Sequence, residues 1–365
     1  MSSRIEIIAE DGAARSGTVT TERGTFSTPC FMPVGTRGTV KSLTSIDLED
    51  QGVEIMLANT YHLMLRPGAD VVSALGGLHD FMAWPGHVLT DSGGYQVFSL
   101  NPKVDDDGAV FRSTYDGSEH RLSPEGAVQV QEALGADIQM VLDVCPPWPA
   151  TPKVLREAVD RSAAWAARAK AVHHREGQSL FGIVQGGVDL ELRAQSAIRT
   201  VDIGFDGYGI GGLSVGEPRD AMLPALSAAL EHVPKDVPRY LMGVGDPIGL
   251  VEGVALGVDM FDCVLPTRLA RHGTLLSSVG KVKLRRAEYM KSDEPPDPNC
   301  HCPVCTRWSK GYLRHLLMVG EASGARLCTL HNLSWTIQLM RDMRAAIVNG
   351  SFEAFRRDIL AVWGP

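Results

Sequence analysis

The sequence predicts an α/β fold, a (β/α)8 TIM barrel, with an N-terminal antiparallel β element and a cysteine-rich insertion near the C-terminus. Short apolar runs alternate with amphipathic helical stretches, a pattern typical of parallel strands covered by helices. The length of 365 residues suits one barrel of about 250 residues with insertions, although two domains would also fit. We therefore expect a single domain over residues 1–365.

The elements follow this pattern in order along the chain. Turns separate β-prone runs within the first 40 residues, which predicts antiparallel hairpins. Amphipathic helices are predicted at 124–134, 152–174, 190–201 and 219–233. Eight buried strands are predicted at 54–59, 87–91, 138–143, 180–185, 207–212, 239–244, 258–263 and 325–332.

The regular alternation fails between residues 264 and 324, which we interpret as an insertion between strands seven and eight. It contains Cys300, Cys302 and Cys305, and His331 follows at the predicted end of the last strand. Three thiolates and one imidazole are the ligands of a closed, tetrahedral zinc site. We expect one structural Zn²⁺ in a zinc-binding subdomain at about 290–335, closed by that strand. The alternative is free cysteines in a reducing cytosol.

Charge and hydropathy limit the classes of function. The net charge of −8 argues against a protein that coats nucleic acid without selectivity. No run approaches the ~20 apolar residues that span a bilayer, and the opening MSSRIEIIAEDGA does not resemble a secretion signal. Cys30, Cys145, Cys263 and Cys328 are scattered and suggest no disulfide framework. We expect a cytoplasmic protein with no membrane contact.

A basic segment contrasts with the acidic whole. Between Arg268 and Lys291 there are seven basic residues and a single acid, Glu288. Such a concentration is typical of a surface that contacts a polyanion. The alternative is a solvated, charge-rich surface.

Polar residues follow several of the predicted strands at their carboxyl ends. In a barrel these ends converge on one face, where catalytic and binding groups lie. A polar residue there is often only a helix N-cap, but capping does not readily explain three aspartates and a glutamine that each follow an apolar run. The polar residues at these strand ends are Asp91, Asp143, Gln185 and Asp262, and the glycines Gly211 and Gly212 lie at another strand end.

Around these strand ends the sequence resembles the tRNA-guanine transglycosylases, which exchange a guanine in tRNA for a 7-deazaguanine. The resemblance extends from about Pro33 to the end of the chain and includes the Cys/His set. The matching stretches are NTYHLMLRPG (59–68), LTDSGGYQVFSL (89–100), GIVQGG (182–187), GIGGLSVGE (209–217), YLMGVG (240–245) and GVDMFDCVLPTR (257–268).

The resemblance implies a reaction that two carboxylates can perform. Base exchange with retention at C1′ requires double displacement through a covalent intermediate, the logic of retaining glycosidases. By the match to MFDCVLPTR, Asp262 is the nucleophile, and Asp91 is the general acid/base. Two alternatives are a non-catalytic RNA-binding partner of the same fold, which could lack the carboxylates, and a barrel glycosidase, which would explain neither the cysteines nor the basic segment.

The resemblance also assigns the base pocket. Asp143 would accept the adjacent N1–H and N2–H₂ donors of guanine, and Gln185 and the Gly212 N–H would donate to O6. Gly211 and Gly212 would let the backbone approach the ligand. Tyr95 and Met242 would sandwich the base, or would simply pack in the core. Ser92 would be a further polar contact.

Among the family, the sequence is most similar to the bacterial type, which inserts the aminomethyl-deazaguanine preQ1 at the wobble position of GUN anticodons during queuosine biosynthesis. About 35 residues follow His331, too few for the C-terminal RNA-binding domains of archaeal relatives. Cys145 and Val215 would restrict the pocket. The Leu213 carbonyl, held by Glu217, would accept from the preQ1 ammonium. Two departures concern this pocket: Val144 where Glu is common and Ser214 where Ala is usual.

The resemblance further implies tRNA contacts and a homodimer. A helix is predicted over 306–319, with Trp308, Tyr312 and His315 on one face and Phe81 as a contact from the other subunit. The alternative is that this face packs inward. The residues expected to contact RNA are Gly243, Arg268, Arg271, Lys281, Lys283, Arg285 and Arg286.

Overall fold

The computed structural model describes residues 3–364. Within these residues the strands lie in four sheets, of which the largest is parallel. In chain order they are β1 (Arg4–Asp11), β2 (Ala14–Thr21), β3 (Gly24–Thr28), β4 (Cys30–Met32), β5 (Val34–Gly35), β6 (Ile55–Ala58), β7 (His87–Thr90), β8 (Lys103–Asp105), β9 (Gly108–Arg112), β10 (Glu119–Leu122), β11 (Ile138–Met140), β12 (Ser179–Val184), β13 (Gly207–Ile210), β14 (Arg239–Leu241), β15 (Met260–Asp262), β16 (Thr274–Ser277) and β17 (Gly280–Lys283).

Helices follow most strands of the large sheet and form the carboxyl-terminal part of the chain. A short 3-10 helix, Ala287–Lys291, lies between β17 and α12. The α-helices are α1 (Ser45–Asp50), α2 (Thr60–Leu65), α3 (Ala69–Ala74), α4 (Gly77–Met82), α5 (Gly94–Phe98), α6 (Pro124–Leu134), α7 (Pro152–Val172), α8 (Leu190–Ile203), α9 (Arg219–Leu230), α10 (Pro247–Ala255), α11 (Leu265–Arg271), α12 (Lys310–Val319), α13 (Ala322–Val348) and α14 (Phe352–Trp363).

The large sheet forms the predicted barrel. Its order is β4-β15-β14-β13-β12-β11-β7-β6-β5, and its two outermost members are successive segments of one stretch, residues 30–35. β4 pairs with β15, with Phe31 opposite Phe261, while β5 pairs with β6, with Val34 opposite Leu57. Residues 30–35 therefore close the sheet on itself at eight strand positions, and the predicted fold class is confirmed.

The eighth strand is not where the sequence pattern placed it. Residues 325–332 lie inside α13, and the remaining barrel strand is instead residues 30–35. A short apolar run does not distinguish a strand from a buried helical segment. Over a longer window Cys328, Asn332 and Thr336 recur every four residues, and all three are buried. His331 is thus a helical residue, and the insertion follows the last barrel strand instead of preceding it.

Local signals set the element boundaries that position the site. α6 has the predicted bounds because Ser123 caps it, accepting the Gly126 N–H at 3.0 Å, and Pro124 occupies its first turn. β7 ends one residue before Asp91, and Asp262 is the last residue of β15. Parallel strands place these ends at the same face of the barrel, as predicted.

Within residues 3–364 three smaller parts accompany the barrel, and one of them is the antiparallel sheet of β8, β9 and β10. β1, β2 and β3 form an antiparallel sheet, which confirms the predicted amino-terminal hairpins. The β16–β17 hairpin, the 3-10 helix and α12 surround a separate apolar cluster that includes Leu275, Val304 and Leu313. Within residues 3–364, no helix combines the length and the apolarity needed to cross a membrane.

The helix predicted over 306–319 begins later than expected. Ser309 is its N-cap and accepts the Tyr312 N–H at 3.2 Å, so α12 starts directly after this serine. Trp308 precedes the helix, is half-buried and packs against the apolar cluster of the insertion. The prediction that Trp308 shares a helical face with Tyr312 and His315 is therefore wrong. Tyr312 and His315 are exposed on α12.

Candidate active site at the carboxyl ends of the barrel strands

Asp91 is held on both of its carboxylate oxygens. Oδ1 accepts the Thr60 N–H at 2.8 Å and the Gly93 N–H at 3.2 Å. Oδ2 accepts the side-chain amides of Asn59 at 2.5 Å and Gln96 at 3.0 Å. These donors come from the start of α2 and from the loop and helix after β7, so the carboxylate is fixed in position and orientation.

The protonation of Asp91 reflects two opposing influences. Burial raises the pKa of this carboxyl above its ordinary value, the hydrogen bonds from Asn59, Thr60 and Gln96 lower it, and the negative charge of Asp262 raises it. The net direction is upward. A carboxyl with a raised pKa is suited to giving and taking a proton near neutral pH.

Asp262 is held on only one oxygen. Its Oδ1 accepts the Tyr240 hydroxyl at 2.6 Å and the Gly243 N–H at 2.8 Å. No hydrogen bond from residues 3–364 reaches Oδ2, so that oxygen keeps its lone pairs available. Burial raises the pKa of Asp262, and the bonds from Tyr240 and Gly243 lower it.

A third carboxylate, Asp143, is buried and pairs with Gln185. Gln185 Nε2 donates to Asp143 Oδ2 at 2.5 Å, and one hydrogen of this amide remains for another acceptor. Burial raises the pKa of Asp143 to about 6; the Gln185 bond lowers it, and the charge of Asp91 raises it. Gln185 Oε1 is buried with no hydrogen-bond partner in the described part of the chain.

A buried arginine that the sequence analysis did not single out holds the neighbouring strand ends. Arg193, on α8, is fully buried and donates to four backbone carbonyls and to no carboxylate. The acceptors lie at or just after the ends of β12 and β13, at distances of 2.6 to 3.1 Å: Gly187, Val184, Gly211 and Gly212. One cation thus fixes the backbone on which the predicted base-binding residues lie.

Gly212 shows why this backbone needs glycine. Its φ of +63° lies in the left-handed region, and a Cβ at this position would collide with Gln185 Oε1. Any larger residue would therefore displace the Gln185 amide from Asp143.

The loop after β13 carries the residues expected to recognise an ammonium. Glu217 accepts the N–H groups of Ser214 and of Val215, the latter at 2.9 Å. Because the N–H and C=O of a trans peptide point in opposite directions, the Leu213 carbonyl points away from Glu217. Ser214 has φ +62°, and its hydroxyl donates to the Gly243 carbonyl at 3.2 Å.

The other residues predicted to contact the base differ in how far their side chains are exposed to solvent. Tyr95, on α5, is 64% exposed, whereas Met242, after β14, is half-buried beside Gly211. Ser92 is buried, and its Oγ accepts the Gly94 N–H at 3.2 Å. Val144 is half-buried against the apolar cluster around Tyr61, so a side chain at 144 packs there.

The predicted metal ligands converge in the insertion. Sγ of Cys300, Cys302 and Cys305 and a ring nitrogen of His331 all lie within 4.8 Å of one another. His331 Nε2 lies 2.8 Å from the Leu276 carbonyl, and Nδ1 faces the thiols, 3.2 Å from Cys305 Sγ. A carbonyl that accepts from one ring nitrogen leaves the other free to bind a metal. The cluster can therefore bind a metal ion.

The residues predicted to contact RNA fall into two groups. Arg268, which is exposed, and Arg271, which is half-buried, lie on α11, shortly after Asp262. The Gly243 N–H is already engaged by Asp262. The second group lies on β17 and in the loop that follows it and is exposed: Lys281, Lys283, Arg285 and Arg286.

Sequence reasoning missed most of the residues that hold the carboxylates. Asn59, Gln96 and Tyr240 lie within motifs that the sequence analysis quoted, but only tertiary structure shows which aspartate each one contacts. For Arg193, the sequence shows only that it belongs to an amphipathic helix, which does not predict its burial. An arginine on a surface helix is usually exposed.

The fold and the site define a class: a (β/α)8 barrel with three aspartates at its carboxyl face and a separate Cys₃His metal-ligand cluster. A family model described as Queuine tRNA-ribosyltransferase matches residues 10–365. The chain belongs to this family.

Curated relatives with the same description match over nearly their full length. A protein named Queuine tRNA-ribosyltransferase from Symbiobacterium thermophilum is 52% identical, covering 100% of this chain and 92% of the relative. Proteins of the same name from Herpetosiphon aurantiacus and Pelotomaculum thermopropionicum are 51% and 50% identical, each covering 96% of this chain and 90% and 95% of the relative.

Proposed function

We propose that this chain is a tRNA-guanine transglycosylase that exchanges guanine at the wobble position of GUN-anticodon tRNAs for preQ1, a step in queuosine biosynthesis. Family membership and the names of the relatives support a pentosyltransferase that acts on tRNA. The roles are assigned from one difference: within residues 3–364 Asp262 Oδ2 accepts no hydrogen bond, whereas both oxygens of Asp91 are held.

The reaction proceeds by two displacements at C1′ of the target nucleotide. Asp262 Oδ2 attacks C1′ while the C1′–N9 bond breaks and its electron pair leaves with guanine, which takes a proton from Asp91. The incoming base then gives a proton to Asp91, attacks C1′ and displaces the Asp262 carboxylate. The two inversions give net retention, and no redox step is needed.

The base pocket selects for a guanine-like edge. Asp143, when ionised, accepts N1–H and N2–H₂, while the second hydrogen of Gln185 Nε2 and the Gly212 N–H donate to O6. Tyr95 and Met242 stack on the two faces of the base. The Leu213 carbonyl accepts from the aminomethyl group, since Glu217 occupies the opposite side of that peptide.

The Cys₃His cluster fits Zn²⁺. Three thiolates and one imidazole at this separation complete a tetrahedral sphere with no open position, so the ion would stabilise the insertion and supply no chemistry to the exchange. The zinc-binding subdomain comprises about residues 290–335 of a single domain, 1–365.

The active form is a cytoplasmic homodimer that contacts tRNA through Gly243 and the basic residues of α11 and the β17 loop. Exposed Tyr312 and His315 on α12 form part of the dimer surface, with Trp308 just before the helix and Phe81 of the other subunit against them.

Labelled guanine and unmodified tRNA test the proposal. The wild-type protein should incorporate label, and Asp262→Asn should not, whereas Asp358→Asn, a matched change on the exposed side of α14, should behave as wild type. Competition by preQ1 but not by queuine identifies the incoming base. RNA binding without any incorporation would instead indicate a non-catalytic partner, and release of free base without exchange would indicate a glycosidase.

A further inference from the structure

A cluster of Arg37, Tyr115 and Arg66 lies outside the residues assigned above. The guanidinium carbons of Arg37 and Arg66 lie 5.3 and 4.8 Å from the centre of the Tyr115 ring. His62 Nδ1 is 2.9 Å from the Tyr115 hydroxyl, which fixes the ring at its polar edge. Two cations thus share one aromatic ring, an arrangement that holds long side chains in place at a protein surface.

The cluster lies on the catalytic face. Arg37 follows β5 by two residues, at the carboxyl end of a barrel strand, and Arg66 directly follows α2. The first residue of α2 is Thr60, whose N–H donates to Asp91. Six residues of helix span ~9 Å, so one short helix connects the Asp91 donor to Arg66.

The turn that carries Tyr115 is tied to the same helix. The Tyr61 hydroxyl lies 3.1 Å from Thr114 Oγ1 and accepts the Thr114 N–H at 3.2 Å. Two hydrogen bonds to α2 therefore hold Tyr115 in place. One joins the preceding residue, Thr114, to Tyr61, and the other joins the Tyr115 hydroxyl to His62.

The two guanidinium groups keep their donors available. Within residues 3–364 neither the Arg37 nor the Arg66 side chain forms an ion pair or a hydrogen bond, and both residues are exposed. Burial and the charge of Arg37 lower the pKa of His62, so this imidazole is neutral at neutral pH. Asp116 is an acid near Arg66, but it forms no ion pair with this arginine within residues 3–364. Its carboxylate accepts the backbone N–H and the hydroxyl of Ser118.

We propose that Arg37 and Arg66, held by Tyr115, bind the RNA backbone beside the target nucleotide on the Asp91 side of the site. A guanidinium fork matches a phosphate, and its plane can also stack on an unpaired base. Arg268 and Arg271 lie beside Asp262, so an RNA strand across the site would meet cations on both sides of the reacting nucleotide. The inference rests on the proposed function and adds a second RNA contact to it.

The test compares two double variants that remove the same charge. Arg37→Gln/Arg66→Gln should weaken equilibrium binding of an unmodified tRNA transcript about tenfold, and should reduce the salt slope of log K by about 1.4, the value for two single-strand phosphate contacts. Arg121→Gln/Arg199→Gln is the control, since these arginines pair with Asp105 and Asp160. The control should bind as wild type does. Tyr115→Leu should weaken binding about two- to fivefold by releasing both arginines.

Three outcomes would overturn the inference: equal effects of the two double variants, a rise in the KM for guanine parallel to that for tRNA, or a change in sedimentation with unchanged RNA binding. The last would identify the cluster as a contact between copies of this chain. Because binding is measured without turnover, a wild-type protein that binds tRNA with this salt dependence but exchanges no base would contradict the proposed function and leave the cluster's role intact.

Discussion

Asp91 and Asp262 lie at the same face of the barrel, yet the two carboxylates are held in different ways. Asp91 accepts hydrogen bonds on both oxygens, from two backbone N–H groups and two side-chain amides. Among the described residues, 3–364, Asp262 accepts hydrogen bonds on Oδ1 alone, from a phenol and one backbone N–H. Burial raises the pKa of both.

The difference separates two tasks that both require a carboxylate. A nucleophile needs one oxygen free of donors and a fixed line of attack, which the one-sided attachment of Asp262 provides. A proton shuttle needs a fixed position and a pKa matched to its pH, and the donors around Asp91 counteract the effect of burial on that pKa. Two similar residues thus acquire different chemistry from their neighbours.

The largest expected effect comes from removing either carboxylate. Asp262→Asn should lower exchange by about 10⁴-fold or more, because an amide is a poor nucleophile, whereas Asp91→Asn should lower kcat by about 10²–10⁴-fold by removing the proton shuttle. Steady-state exchange of labelled guanine measures both. Equal, modest losses in the two variants would show that the difference in hydrogen bonding does not reflect a difference in role.

Arg193 tests whether the base pocket can be damaged without disturbing either catalytic aspartate. Arg193→Met leaves the Gly211 and Gly212 carbonyls without their donor and should raise the KM for guanine roughly 30-fold, while the pH profile of kcat stays unchanged. Arg193→Lys should recover only part of the loss because one ammonium reaches fewer carbonyls than the fork. A matched fall in kcat and in thermal stability, without a change in KM, would assign Arg193 to folding alone.

The pH dependence of base binding should belong to Asp143 and not to the catalytic pair. Its pKa is raised to about 6, and only the ionised carboxylate accepts from guanine. Binding is therefore complete above this pKa and is lost as the pH falls through it, so the KM for guanine should rise about tenfold one pH unit below. Asp143→Asn should bind guanine weakly at every pH. A KM that stays constant from about pH 7.5 to about pH 5 would contradict this assignment.

Removing one donor from Asp91 should give the smallest effect. Gln96→Leu deletes the 3.0 Å bond to Oδ2, and since that bond lowers the pKa of Asp91, its loss should raise the pKa. Asp91 must be protonated when guanine leaves, so the alkaline limb of the kcat profile should move to higher pH, with kcat on that limb rising about threefold. Gln195→Leu is the matched control, because it removes an exposed hydrogen bond from the Gln195 side-chain amide to Glu191, both on α8. An unshifted limb would mean that Asp91 does not set this part of the profile.

Much of the fold followed from periodicity, and the exception has a physical cause. Seven of the eight predicted strands overlap a strand of the barrel, because buried parallel strands form short apolar runs. Residues 325–332 are also a short apolar run, but they form part of a 27-residue helix. Residues 30–35 belong to the barrel although hairpins are predicted throughout the first 40 residues, because turns separate short β-prone runs there in the same way as in β1 to β3.

The candidate site was predictable where residue type and strand end coincide, as for Asp91, Asp143 and Asp262. The donors that distinguish these aspartates were not predictable, because Asn59 and Tyr240 reach them from other strands. The prediction for Trp308 failed for a local reason. Ser309 caps the helix through its side chain, so the helix begins after Trp308.

Both displacements depend on a covalent bond between the free oxygen of Asp262 and the RNA. Incubation with an unmodified tRNA transcript without incoming base, followed by denaturation, proteolysis and mass spectrometry, should find a ribose-linked peptide that contains Asp262. Asp91→Asn should form this adduct slowly, and Asp262→Asn should form none. An adduct on Asp91, or undiminished exchange by Asp262→Asn, would show that Asp262 is not the nucleophile.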